Sequence, residues 1–219
     1  MKLGVIADVH GNLVALEAVM DAMPAVDALV CAGDVVGYNP WPGECVDTLR
    51  ETDCLSVMGN HDRAVVTGTT DHFNGMARAG VRYAERVLSS AQFEWLAALP
   101  ATRTEFDGRV KLVHGHPDDP DRYTYPDLFD PAMLRGEDVL VTGHTHVQGH
   151  RTFEEGIVLN PGSVGQPRDG DPRAAFSVVD VDAMSVDERR VSYDIDAVEQ
   201  KVNAVGLPED IANRLRRGR

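Results

Sequence analysis

Val139-Leu-Val-Thr-Gly-His-Thr-His146 is the stretch on which the reading of the chain turns. It begins as a short apolar run, consistent with a buried strand, and stops at Gly143. Two histidines follow with one residue between them. Side chains alternate in direction along an extended segment, so the spacing predicts that His144 and His146 face one pocket together. Neutral imidazole is the commonest metal-ligand group. A lone His-x-His is an ordinary occurrence, but four other strand-like runs of this chain also end in Asp, His or Asn, all metal-binding types.

Toward the N-terminus, the apolar run Lys2–Ala7 ends at Asp8-Val-His10-Gly-Asn12. Leu13, Leu16, Val19, Met20 and Met23 then recur at helical spacing, with Asn12 as the N-cap and Pro24 beyond the end. Ala28–Ala32 ends at Gly33-Asp34-Val-Val-Gly37, and a loop over Tyr38–Gly43 leads into a short helix to about Glu51. Cys54–Met58 ends at Gly59-Asn60-His61-Asp62. Strands alternating with helices predict parallel βαβ units and an α/β fold.

Between Asn74 and Leu99 the pattern predicts two helices, the second opened by the capping box Ser89-Ser-Ala-Gln92. Thr102–Phe106 and Arg109–Val113 flank Asp107-Gly108, a hairpin signal, and run into His114-Gly-His116. A short helix is expected near Leu128–Arg135. Strands are expected at Gly149–Phe153, Ile157–Leu159, Phe176–Val181 and Glu188–Tyr193, and a helical tail from about Ala197 to Arg219. No linker separates these pieces, so one domain over residues 1–219 is expected.

The formal charge is −14, with three lysines (Lys2, Lys111 and Lys201) among 21 basic residues. Such a balance fits a soluble acidic protein or one adapted to high salt, and it disfavours broad binding to nucleic-acid backbones. No apolar run approaches a membrane span, and the first residues lack the apolar region of a signal peptide, so a cytoplasmic location is expected. The cysteines Cys31, Cys45 and Cys54 have no metal-binding spacing and read as reduced thiols, Cys31 and Cys54 as core residues. A homo-oligomer is an option, through the C-terminal helix or the Thr102–Val113 hairpin.

In open α/β sheets ligands collect beyond the carboxyl ends of the strands. Asp8, His10, Asp34, Asn60, His114, His144 and His146 all fall there, with His61 beside them. Two metals sharing a carboxylate would use so many donors, and this mixture suits Mn, Fe, Ni, Co or Zn better than calcium. Each residue alone has a plainer reading: Asp8 and Asp34 as helix caps, Asn60 as a left-handed turn residue, His114 as a core histidine. Together those readings would require a ligand type at every strand end by coincidence.

The ordered blocks Asp-x-His, Gly-Asp-x-x-Gly, Gly-Asn-His-Asp, His-Gly-His and Gly-His-Thr-His resemble the calcineurin-like metallophosphoesterases, and within them the small bacterial and archaeal phosphodiesterase group. Tyr38 and Asn160-Pro-Gly-Ser-Val-Gly-Gln-Pro-Arg168 also resemble that group. The resemblance covers Leu3 to about Val181. It implies a four-layer α/β/β/α sandwich of two mixed β-sheets flanked by helices. It further implies two divalent metal ions, in first place manganese: one held by Asp8, His10 and His146, the other by Asn60, His114 and His144, with Asp34 bridging. Such a centre would hydrolyse a small phosphoester, with nucleotide-derived diesters in view, by attack of a hydroxide held between metals about 3.5–4 Å apart. His61 would touch a phosphate oxygen or protonate the leaving group, with Asp62 orienting its ring.

One departure stands out. The protein phosphatases of this superfamily follow the Gly-Asp block with a phosphate-binding arginine, whereas the matching stretch here, Val36-Gly37-Tyr38, has none, which leans the expectation toward diesters. A dinucleoside polyphosphate hydrolase on the same site and a non-catalytic scaffold on the same fold are the competing readings. For residues outside the blocks, His116 is expected to line the site, and His72 and His150 to lie on the surface. Asn12 is expected to cap a helix, Ser163 to be a turn hydroxyl, and Tyr38 and Trp41 to pack their loop. Arg168 either reaches a substrate phosphate or pairs with Asp169 or Asp171.

Overall fold

Strand β1, Lys2–Ile6, shows how the layers form, because it is buried on both faces. Leu3 and Val5 point to one side, Gly4 and Ile6 to the other. The computed structural model, which describes residues 1–219, pairs β1 in parallel with β2 (Ala28–Cys31) and antiparallel with β9 (Ala174–Asp180). Strands β3 (Leu55–Ser56) and β10 (Ser185–Val191) complete a sheet of order β10-β9-β1-β2-β3. A second mixed sheet has the order β4-β5-β6-β8-β7, from Thr102–Glu105, Val110–Val113, Val139–Val141, Ile157–Asn160 and Gly149–Thr152.

Period-two alternation explains the packing. Leu3, Val5 and Val30 of the first sheet meet Leu112, Val139, Val141, Ile157 and Leu159 of the second in one dry interface. The opposite face of the first sheet, with Ile6, Cys31 and Phe176, is covered by helices α1 (Leu13–Ala22), α2 (Pro42–Glu51), α3 (Asn60–Thr67), α4 (Gly75–Val87) and α5 (Ser90–Ala97). All three cysteines are buried and unbonded. Each fully buried Val, Leu or Ile contributes roughly 1.5–3 kcal/mol by leaving water. Ser89 and Gln92 form the expected capping box.

Two local expectations are corrected. The helix expected near Leu128–Arg135 is instead two single 3-10 turns, Pro126–Leu128 and Pro131–Met133, which lay Phe129 and Met133 on the outer face of the second sheet. Pro131 has no amide hydrogen with which to continue a helix begun at Pro126. Conversely, α3 starts at Asn60, inside a stretch read only as the end of a strand. The tail folds into α6 (Ile195–Ala204) and α7 (Asp210–Leu215), which pack Val198, Ile211 and Leu215 against Tyr38 and Ala77. At its end Gly170 donates to the Gly218 carbonyl, tying the tail to the loop that carries Arg168.

The loop after β8 passes close beneath the end of β1. The Gly165 amide donates to the Asp8 carbonyl at 2.9 Å, and a methyl group added at Gly165 would lie 1.8 Å from the Val9 carbonyl oxygen. Gly165→Ala is therefore expected to destabilise the fold by about 1–3 kcal/mol through overpacking. The urea unfolding midpoint measures this, and an unchanged midpoint would contradict the close approach.

Candidate metal centre

The carboxyl ends of β1, β2 and β3 in one sheet and of β5 and β6 in the other converge, and each is followed by one of the five blocks. The junction is drawn together by bonds between blocks. Asp8 N–H donates to the Gly33 carbonyl, His10 N–H to that of Asp34, and His144 N–H to the Asp8 carboxylate at 3.0 Å. The chain bends sharply here. Asp8, His10, Asp34, Tyr38, His144 and His146 all have left-handed backbone, with φ between 49° and 68°. Asp and His tolerate that region better than most residues, yet each such position costs of order 1–3 kcal/mol and persists only where surrounding bonds enforce it.

His144 and His146 therefore do not alternate along an extended strand. β6 ends at Val141, and the two left-handed histidines send their rings into adjoining groups. His146 joins Asp8, His10 and Asp34, while His144 joins Asp34 and His114; within each group the donor atoms lie within 4.8 Å of one another. Asp34 belongs to both. Its Oδ2 is 3.6 Å from His10 Nε2 and 3.4 Å from His114 Nε2, while its Oδ1 accepts from the His61 amide at 2.8 Å. That amide is one of the free N–H groups at the start of α3. Asn60 reaches the second group, its Oδ1 3.0 Å from His114 Nε2. All seven expected donors are thus brought to one place.

The ring nitrogens facing outward fix what faces inward. His10, His114 and His146 each set Nδ1 against a backbone carbonyl, those of Val36, Ala32 and Gln166, at 3.2, 2.8 and 2.6 Å. His144 sets Nε2 against the Asp121 carbonyl at 3.0 Å. A carbonyl only accepts, so those nitrogens carry the hydrogens and the lone pairs of the neutral rings turn inward. His10 Nε2 then faces His146 Nε2 at 3.1 Å, and His114 Nε2 faces His144 Nδ1 at 3.1 Å. Lone pairs and carboxylate oxygens converge with no hydrogen to share. Cations placed among them would satisfy every donor, and outward carbonyl bonds of this kind orient metal-ligating histidines.

Without cations, protons must fill that role. Burial pushes the Asp8 carboxyl up to about 8. Burial opposes charge on His114, but the Asp34 and Asp8 carboxylates outweigh it and lift the ring to about 10. Burial also opposes charge on Asp34, and the imidazoles of His114 and His61 overcome it, holding this carboxyl well below the usual range. Burial drives His10 and His146 well below the ordinary imidazole value and His144 down to about 4, so these rings are neutral and free to ligate.

His61 is buried, lowered by burial to about 4 against the pull of Asp34. Phe73 stacks on its ring at 4.5 Å, and Tyr38 lies 4.8 Å away. Asp62 does not orient that ring. Its carboxylate accepts from the amides of Gly59 and Val36, tying the start of α3 to the Gly33–Gly37 loop, and His61 Nδ1 has no partner. Stacking holds the ring instead. Arg168 pairs with neither Asp169 nor Asp171: Asp169 pairs with Arg190 and Asp171 with Arg173, and the Arg168 guanidinium lies on Gln166 Oε1 (2.8 Å) and the Tyr38 hydroxyl (3.2 Å). It lines a hollow with Asp34, Asn60, His61 and His146.

Asn12 caps α1 and Ser163 is a turn hydroxyl donating to the Asp8 carbonyl. Tyr38 packs its loop and also lines the hollow. His116 does not line the centre; it bridges to Asp119 and borders a separate hollow of about 300 Å3 with Arg122 and Arg135. His150 pairs with Glu188, and the exposed His72 lies at the rim of the centre. Gln166, Phe73 and Tyr123 escaped the sequence reading. Gln166 lies within the Asn160–Arg168 block, whereas Phe73 and Tyr123 carry no motif.

Loading with divalent metal at pH 7 should release protons from Asp8 and His114, which hold them in the metal-free protein. Apparent affinity should rise as pH is raised toward about 8. Both shifts are upward, so the folded metal-free protein keeps protons that the unfolded chain has lost. Above about pH 6.5, where His10, His61, His144 and His146 are neutral whether folded or not, its stability should fall as pH rises toward about 8 for Asp8 and about 10 for His114. Calorimetric titration with Mn in buffers of different ionisation enthalpy measures the release, and heats independent of buffer would contradict it.

Residues 1–184 match the calcineurin-like phosphoesterase superfamily domain. Over 99% of its length the chain is 34% identical to an uncharacterised protein of Methanocaldococcus jannaschii, covering 98% of that protein. It is 31% identical to the phosphodiesterase YfcE of Escherichia coli, over 85% of this chain and 91% of that one. The crystal structure of a metallophosphoesterase from Sphaerobacter thermophilus superposes with a TM-score of 0.86 at 34% identity, covering 100% of this chain and 99% of the other. Two mixed five-stranded sheets flanked by helices, donors grouped at their shared edge, and these likenesses together place the chain in the calcineurin-like phosphoesterase superfamily.

Proposed function

We propose that the protein hydrolyses a small phosphodiester at a pair of divalent cations, manganese in first place. The observation that carries this reading is Asp34: one carboxylate oxygen faces His10 of the first donor group and His114 of the second. A shared oxygen of that kind could serve two cations at once. Asp8, His10 and His146 would complete one site, and Asn60, His114 and His144 the other. Once bound, the pair would supply Lewis acidity toward the phosphoryl oxygens and an ionised water at neutral pH.

The chain's own groups do the rest. Arg168, held by Gln166 and Tyr38, can take a non-bridging phosphate oxygen. His61, a neutral ring wedged between Phe73, Tyr38 and His10, can donate one hydrogen bond to phosphate or leaving oxygen. No side-chain nucleophile is needed. Ser163, the hydroxyl close to Asp8, is spent on a backbone carbonyl. The stretch Val36-Gly37-Tyr38 holds no arginine, and the Tyr38 hydroxyl receives Arg168, so a single cationic side chain would serve the phosphate. That matches the single charge of a diester, and the likeness to a phosphodiesterase supports the same preference.

Hydrolysis of bis(p-nitrophenyl) phosphate with added Mn is expected, with loss after chelation and recovery on return of the metal. Asp34→Ala should abolish it, and an active Asp34→Ala protein would rule out the bridge. Arg168→Ala should lower kcat/KM by about 10²-fold, with Arg168→Lys restoring only part because the planar fork is lost. Equal rates for Arg168→Ala and the parent would remove Arg168 from the mechanism.

A further inference from the structure

Beside the metal centre lies a hollow of 550 Å3 that none of the chemistry above requires. Asn60 and His144, donors of the second group, form part of its wall, so a substituent on a phosphate held at the centre would have direct entry. The far side is built by the outer half of α3 and the segment that follows it, together with Asp121 and Tyr123 from the loop after β5.

Three features give the hollow a chemical character. It has two aromatic walls. Phe73 has one face stacked on His61, and the Tyr123 ring lies 4.0 Å from the ring of His144. Tyr123 is 51% exposed, an amphipathic ring standing at the rim of a charged centre. The wall also carries polar groups of both kinds: the hydroxyls of Thr69 and Thr70, and the Arg63–Asp121 ion pair at 2.6 Å, which joins α3 to the loop. Finally, its size falls within the range of small-molecule sites rather than that of a bare phosphate. Aromatic faces with hydrogen-bonding groups around them select a planar ring with polar edges. A charge of −14 argues against a long polyanion as the occupant.

We propose that this hollow seats the nucleobase of a nucleotide-derived phosphodiester, with Tyr123 and Phe73 as stacking walls. The proposal rests on the phosphodiesterase reading for its chemistry, but the hollow itself can be tested separately. In each substrate below the bond from phosphorus to p-nitrophenolate breaks and water supplies the new oxygen.

The test compares two esters with one leaving group, thymidine 5′-(p-nitrophenyl) phosphate and methyl p-nitrophenyl phosphate, on the Mn-loaded protein. The nucleoside ester should be favoured in kcat/KM by about 10- to 100-fold, as stacking of one base supplies. Tyr123→Ala should lower that ratio. Thr67→Trp should do so more strongly, because Thr67 is the exposed last residue of α3 and an indole there fills the hollow. Saturation-transfer NMR with adenosine on the same proteins gives a readout free of catalysis: contact in the parent, lost in Thr67→Trp. Hydrolysis of both esters at equal kcat/KM, or adenosine contact unaffected by Thr67→Trp, would overturn the base site. Turnover of neither ester, with adenosine contact present and lost in Thr67→Trp, would instead uphold the hollow and sink the phosphodiesterase reading.

Discussion

Buried in the junction of the two sheets is a carboxylate whose two oxygens do different things. Asp34 Oδ1 is pinned by the amide of His61 at the start of α3, and Oδ2 is left facing histidines from both donor groups. Around it the rings of His10, His114, His144 and His146 turn their hydrogens outward to carbonyls and their lone pairs inward. Burying so many acceptors is costly unless positive charge is brought among them. Protons on Asp8 and His114 are one answer, and cations are a better one because each satisfies several donors at once.

The rest of the fold serves that junction. Ordinary hydrophobic alternation builds the two sheets, and their packing sets the strand ends edge to edge. The price appears at the bends, where six non-glycine residues sit in the left-handed region. Cross-links such as Asp8 to Gly33, His144 to Asp8 and Gly165 to Asp8 enforce those bends. Strain at these positions lets side chains two residues apart, His144 and His146, diverge into two neighbouring groups, which a regular strand would not allow.

Gln166 connects the cluster of buried donors to Arg168. Its carbonyl accepts from His146 Nδ1, and its side-chain oxygen holds Arg168. One buried residue thus sets both the ring of His146 and the guanidinium opposite it. The C-terminal helices back the same region, packing against Tyr38 and bonding to the loop beyond Arg168. That gives the tail a structural part in the site although it lies outside the matched family domain.

Much of this was legible in the residues. The strands and most helices follow from local periodicity, caps and turns, and the donors are recognisable because each follows an apolar run. Other features depended on contacts distant in sequence. The directions of His144 and His146 follow from left-handed backbone held by bonds to other blocks, not from the strand before them. Asp62 looked like a partner for the next-door His61, but the amides of Gly59 and Val36 claim its carboxylate. Phe73 and Tyr123 reach the centre from loops that carry no pattern at all. Local sequence determines which elements form and which chemical groups stand at their ends. Which way those groups point, and which of them share an oxygen, was decided only when the two sheets packed, because hydrogen bonds across the junction select the backbone angles there.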